Sequence, residues 1–215
     1  MLSRTHSAVG LLCGTVLITA APQYIFNQST SLNLVCLGLA VGTVTLGAKI
    51  PDIDTPYSSI SRALWFIALP IQIIRFIILL ISFVCPTPMK KILQGIDEAT
   101  DHRGITHSII SWFVFCIGYY IAYIIILQKC DAQTAHVWAV SSFFLSVGYL
   151  SHLLTDFISG KGIPLFCPIS NKRFGSKQLV GIHVKYNGLV ETVIRIGSIA
   201  LSLAFILNTT TVHII

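Results

Sequence analysis

The sequence predicts an all-α protein: a polytopic transmembrane helix bundle of about five crossing helices plus one re-entrant or interfacial segment. Three observations carry this. Hydrophobic residues fill 54% of the 215 positions and charged residues only 10%, and mean hydropathy reaches +0.80. A water-soluble domain of this length has too little interior to hide that much apolar surface. Several stretches exceed the roughly 18 apolar residues that a bilayer crossing requires. The formal charge of +6 suits a membrane protein with basic loops. The chain reads as one integral-membrane domain over 1–215, with no internal repeat or low-complexity tract.

The first predicted span is 6–21. Arg4, an apolar core from Ala8 to Ile18 and the small residues of "ITAAPQ" also resemble a signal peptide. Bulky Leu12 before Cys13 argues against a lipoprotein box, and the segment is read as an uncleaved helix. The second span is 32–50. Gly10 and Gly14 in the first, and Gly38 and Gly42 in the second, have the small-xxx-small spacing that lets membrane helices pack closely. Segment 63–85 is apolar but contains Pro70 and Arg75, which disfavour a plain lipid-facing helix. Spans 105–128, 135–158 and 189–207 complete the set. The six cysteines are scattered without a C-x-x-C pair and read as packing residues. No basic cluster with interleaved aromatics occurs, which excludes a nucleic-acid partner.

Ionisable residues at span ends are costly unless paired, ligated or functional. "KIPDIDTP" closes the second span, and Asp52 and Asp54 can share one face if that segment is extended. An Asp-rich turn is the bland alternative. "DHRGITHS" brings His102, Arg103 and His107 to the start of the third certain span. "SHLLTD" sets His152 and Asp156 four apart on one helical face, a spacing that suits two ligands on one ion or a structural hydrogen bond. His6 precedes the first span, and Glu191 opens the last, where the helix dipole alone favours an acid.

Singly these residues are unremarkable in function; counting crossings makes them converge. If 63–85 does not cross, His6, Asp52, Asp54, His102, His107, His152, Asp156 and Glu191 all fall on one side of the membrane. If it does cross, His102 and His107 lie about 30 Å away. Charge agrees with the first topology. Lys129 is then the sole Lys or Arg in a far-side loop, while Arg4, Lys49, Arg62, Lys90, Lys91, Arg103, Lys161, Lys172, Arg173, Lys177 and Lys185 lie on or near the side of His6. The positive-inside rule makes that side cytoplasmic. Segment 63–85 is therefore read as re-entrant or interfacial, kinked at Pro70. Mixed imidazole and carboxylate ligands suit a divalent metal, Zn²⁺ first and Mn²⁺ or Fe²⁺ next. The surplus of ligands suggests two metals, or one metal and a general base.

"RTHSAVG", "KIPDIDTPYSSISR", "DHRGITHS", "GYLSHLLTDFISGKGIPLFCP" and "NKRF", in this order, resemble the inner-membrane metal-dependent hydrolase family. Its best-known bacterial members are regulated by the LexA SOS repressor. The resemblance spans almost the whole chain. It implies an all-helical protein of the bacterial inner (plasma) membrane, an SOS connection and a hydrolase activity. Its pattern falls on His6, Asp52, Asp54, His102, Arg103, His107, His152 and Asp156. Cys167 stands where members often have Trp, and the stretch between "PDID" and "HRG" is longer and greasier here.

Two readings follow. In the first, metal-activated water attacks a phosphoester or lipid-linked substrate at the cytoplasmic face. Asp52, Asp54 or Glu191 serves as base, and Arg103 with Lys172 and Arg173 neutralises the anionic substrate. His6, Asp52, Asp54, His102, His107, His152 and Asp156 are the metal ligands. In the second, the same residues form the site of an ion or small-molecule transporter. A His/Asp network that merely holds the bundle together is a third, structural possibility.

Overall fold

The computed structural model describes residues 3–25, 29–55, 57–84, 104–159, 162–181 and 188–213, without the side chains at 30, 71, 74, 75, 78–84, 178, 180 and 210–213. The described residues are overwhelmingly helical. Helices α1 (Ser3–Ala20), α2 (Thr30–Gly47), α3 (Ser59–Ala63), α4 (Trp65–Val84), α5 (Ile109–Lys129), α6 (Ala132–Ile158), α7 (Ser176–Val180) and α8 (Leu189–His213) follow one another, with 3-10 turns at Ile50–Asp54 and Ile105–His107. Among the described residues the only sheet-like pairing is an isolated antiparallel bridge between Ile163 and Phe174. All five predicted spans are helices. Helices α5, α6 and α8 are long and apolar enough to cross a membrane, and α2 is a shorter apolar helix.

Helix ends differ from the hydropathy boundaries where capping chemistry overrides greasiness. The third span was expected from residue 105, but α5 starts at Ile109 because the Ser108 hydroxyl accepts from the Ser111 amide at 3.1 Å. His107 consequently sits in the tight turn ahead of the helix. Asp131 caps α6 by accepting from the Thr134 amide at 2.8 Å and is exposed. Helix α6 begins three residues earlier than expected. Helix α4 runs through Pro70 and packs against α3 and the 50–54 turn.

Helices α1 and α6 form the axis of the bundle. Helix α2 packs on both, α8 runs along α1, and α5 packs on α6. Ile18, Cys36, Leu37, Ala40, Val44, Val140 and Phe144 interlock α1, α2 and α6. No residue of α5 is buried, as lipid exposure requires.

The closest approach of α2 to α6 is backbone on backbone. A Cβ on Gly148 would lie 2.1 Å from the Val44 carbonyl oxygen, and one on Gly47 would lie 2.1 Å from that of Leu145. Gly10 and Gly14 do bring α1 against α2, at Ala48 and Val44. The expectation for Gly38 and Gly42 is not met: a Cβ on either meets nothing within 4 Å among the described residues. Their spacing is right, but the face of α2 that carries them is not the one pressed against α1 or α6.

Candidate metal centre

Four elements end at the same point. His6 lies in the first turns of α1, Asp52 and Asp54 in the turn after α2, His107 in the turn before α5, and His152 and Asp156 near the end of α6. His107 and His152 are fully buried; His6 is 2% exposed, Asp54 2% and Asp156 1%. The Asp52 side chain retains 16% exposure, so among these groups it faces the opening.

The two central imidazoles are oriented by their far nitrogens. His152 Nδ1 donates to the Ala48 carbonyl oxygen at 2.8 Å, since a carbonyl can only accept. Thr106 Oγ1 donates to Asp54 Oδ2 at 2.6 Å, which leaves its lone pair for His107 Nδ1 at 3.1 Å. Tyr149 holds the same turn by donating to the Thr106 carbonyl at 2.5 Å. A neutral imidazole has a single N–H, so in both rings Nε2 then carries a lone pair. These two Nε2 atoms face each other across 3.2 Å. That contact is repulsive unless a positive charge lies between them.

Two carboxylates complete the surroundings. Asp52 Oδ1 is 3.6 Å from His107 Nε2 and 3.7 Å from His152 Nε2. Asp156 Oδ2 is 3.6 Å from His107 Nε2 and 3.8 Å from His152 Nε2. With the Nε2 pair, these distances outline two triangles of acceptors that share the His107–His152 edge. A tetrahedral zinc with ligand bonds of about 2.0–2.1 Å has edges of about 3.3–3.4 Å. The residues present therefore fit a small divalent ion with little movement.

His6 approaches the same cluster from α1. Its ring stacks on that of His152 at 3.9 Å between centroids. Its Nε2 lies 3.4 Å from Asp156 Oδ1, and its Nδ1 bonds the Thr155 hydroxyl. The ligand atoms fall into two overlapping groups, each able to hold a metal ion: His6, His152 and Asp156, and Asp52, His107 and His152.

The structure thus joins His6, Asp52, His107, His152 and Asp156 directly, with Asp54 one bond behind through Thr106. It does not bring Glu191 into either group. That residue is 1% exposed in the first turn of α8, the helix packed along α1. His102 and Arg103 lie outside the described residues, as do Asp97, Glu98 and Asp101. Lys172 and Arg173 are exposed, with the Lys172 ammonium 5.6 Å from the centre of the Phe174 ring. Sequence reasoning missed Thr106, Thr155 and Tyr149. For the two threonines a signal existed, since each stands beside an expected ligand in "GITH" and "LLTD".

A family model described as YdjM inner membrane protein matches residues 1–215. The inner membrane protein YdjM of Escherichia coli (strain K12) is 26% identical over 131 residues, covering 60% of this chain and 48% of that protein. The protein of the same name from Shigella flexneri matches with the same identity and coverage. The chain spans about half the length of the curated relatives it matches. No solved structure matches it. With apolar helices of spanning length and a family match over its full extent, the chain belongs to the YdjM inner membrane protein family and is a multi-pass protein of the inner membrane.

Proposed function

We propose that the protein is a metal-dependent hydrolase working at the cytoplasmic face of the inner membrane, with zinc as the first candidate ion. The observation that supports this best is the facing Nε2 pair of His107 and His152 at 3.2 Å, both rings oriented from behind and flanked by two carboxylates. His107, His152 and Asp156 would hold one ion and leave a position for water. His6 would either join a second or hold Asp156 through Oδ1. A divalent ion held there supplies Lewis acidity, which makes water nucleophilic at neutral pH. Asp52, the partly open carboxylate, would serve as the base. Asp54 keeps Thr106, and through it His107, in one orientation. Arg103, with Lys172 and Arg173, would neutralise an anionic phosphoester or lipid-linked substrate. Elemental analysis of the purified protein tests the reading. Stoichiometric metal in the wild type, lost in His152→Ala, is expected. A folded wild type that binds no divalent metal would leave only a structural network.

The transporter reading is weakened by placement. Between His136 and His152, α6 carries no Asp, Glu, Lys, Arg or His, so along α6 the cluster has no continuation toward the opposite face. SOS regulation rests on the family resemblance alone; induction of the transcript by DNA damage would support it.

Two expected outcomes refine the proposal. Thr106→Val keeps the shape but breaks the link from Asp54 to His107. Metal affinity should fall about 10–100-fold, as for other groups behind a ligand, and Thr106→Ser should retain it. Calorimetric titration of the metal-free protein measures both. For topology, Tyr57 is 89% exposed at the cluster end, and Gln133 is exposed at the other end of α6. In a cysteine-free background, Tyr57→Cys should react with an impermeant maleimide only after the membrane is opened, and Gln133→Cys in intact spheroplasts. The reverse pattern would place the site outside.

A further inference from the structure

The bundle end opposite the His/Asp cluster contains a cavity of about 350 Å³ between the end of α1, the following turn and the first half of α6. Leu17, Ala139 and Phe143 are among its walls, and His136 and Tyr24 are the titratable residues in its lining. His136 Nε2 is buried without a hydrogen-bond partner among the described groups. An unsatisfied buried ring nitrogen in an apolar wall is costly. Ordered water is a poor occupant, because a buried water needs two to four polar partners.

Depth identifies a better one. His136 is four residues into α6, about 6 Å along the axis from its first residue. Exposed Lys129 and Asp131 mark the water-facing turn just before it. The headgroup layer on each side of a bilayer is about 5–7 Å thick. His136 therefore lies where glycerol esters meet hydrocarbon. It is also sixteen residues, about 24 Å along the helix, from His152, so the cavity is separate from the metal centre.

We propose that this cavity holds one acyl chain of a bilayer phospholipid, whose ester carbonyl accepts a hydrogen bond from His136 Nε2. The chain fills the apolar walls, and the ester supplies the partner that the ring nitrogen lacks.

The test uses the full chain reconstituted in phosphatidylethanolamine–phosphatidylglycerol vesicles. A trace of phosphatidylglycerol carrying a diazirine in one acyl chain serves as the probe, and crosslinks are mapped by peptide mass spectrometry. Labelling of the peptides containing Leu17–Ile25 and His136–Phe144 above that of lipid-facing α5 is expected. His136→Phe should lower cavity labelling about fivefold, the worth of one ordinary hydrogen bond. His136→Gln, which keeps a donor, should restore most of it. Ala139→Trp should reduce cavity labelling to the α5 level, with melting temperature as the folding control. The histidine pair decides the matter even if the tryptophan variant does not fold. Cavity labelling no higher than that of α5, or unchanged in His136→Phe, overturns the proposal. So does complete competition by equimolar free fatty acid, which would make the ligand a free acid instead of a phospholipid.

Discussion

Asp156→Asn is expected to insert and fold normally yet lose its divalent metal. The substitution keeps the size of the side chain and much of its hydrogen-bonding capacity. What it removes is the negative charge 3.6 Å from His107 Nε2 and 3.8 Å from His152 Nε2. A carboxylate that ligates contributes more than groups behind the ligands, whose loss costs about 10–100-fold, so affinity should fall by at least about 100-fold. Asp156 also faces His6 at 3.4 Å; a side-chain amide can still hydrogen-bond that ring, so α1 should stay docked. The measurement is metal stoichiometry beside the wild type, with melting temperature in detergent as the folding control. Full occupancy in a normally folded variant would remove Asp156 from the ligand set. His136→Ala should leave the metal untouched, since that residue belongs to the other end of α6.

The second large effect concerns packing. Gly148→Leu should abolish the native bundle, whereas Gly38→Leu should be nearly silent. At Gly148 the first added carbon already meets the Val44 carbonyl oxygen at 2.1 Å and the Ala48 amide nitrogen at 2.8 Å. Backbone cannot swing aside as a side chain can, so α2 and α6 must separate. Overpacking a core commonly costs about 1–3 kcal/mol; a forced backbone separation should exceed that range. At Gly38 the added carbon meets nothing within 4 Å. Size-exclusion profiles and melting curves of the two variants, purified in parallel, measure the contrast. Similar behaviour would mean that the α2–α6 contact is looser than its backbone spacing implies.

These two variants also mark what the sequence made legible. Asp156 was readable because helical periodicity alone puts it on the face of His152, and because counting crossings brings both to the level of Asp52 and His107. Hydropathy located the five helices expected as spans for the same reason: apolar length is a property of contiguous residues. Gly148 was not singled out, and Gly38 and Gly42 were. Spacing of small residues says that some helix can approach, but which face it meets depends on the rotation of α2 about its axis, a tertiary quantity. The orientation of His107 depends on Thr106 and Asp54, residues 52 positions apart in the chain, a pairing no local pattern encodes. The start of α5 was misplaced because isoleucine at 105 is as greasy as the helix itself, while Ser108 supplies the cap.

The bond from His152 Nδ1 to Ala48 has a practical corollary for mutational surveys. The acceptor is a peptide oxygen, and the residue that owns it is already alanine. Replacing side chains around His152 by alanine one at a time leaves this anchor in place, and an alanine scan passes over Ala48 even though the imidazole hangs from it. Only a change of phase can reach it. Inserting one residue in the last turn of α2 rotates everything beyond it by about 100°, carrying the oxygen away from the ring. Deletion and insertion libraries, not substitution libraries, are thus the ones able to register this contact.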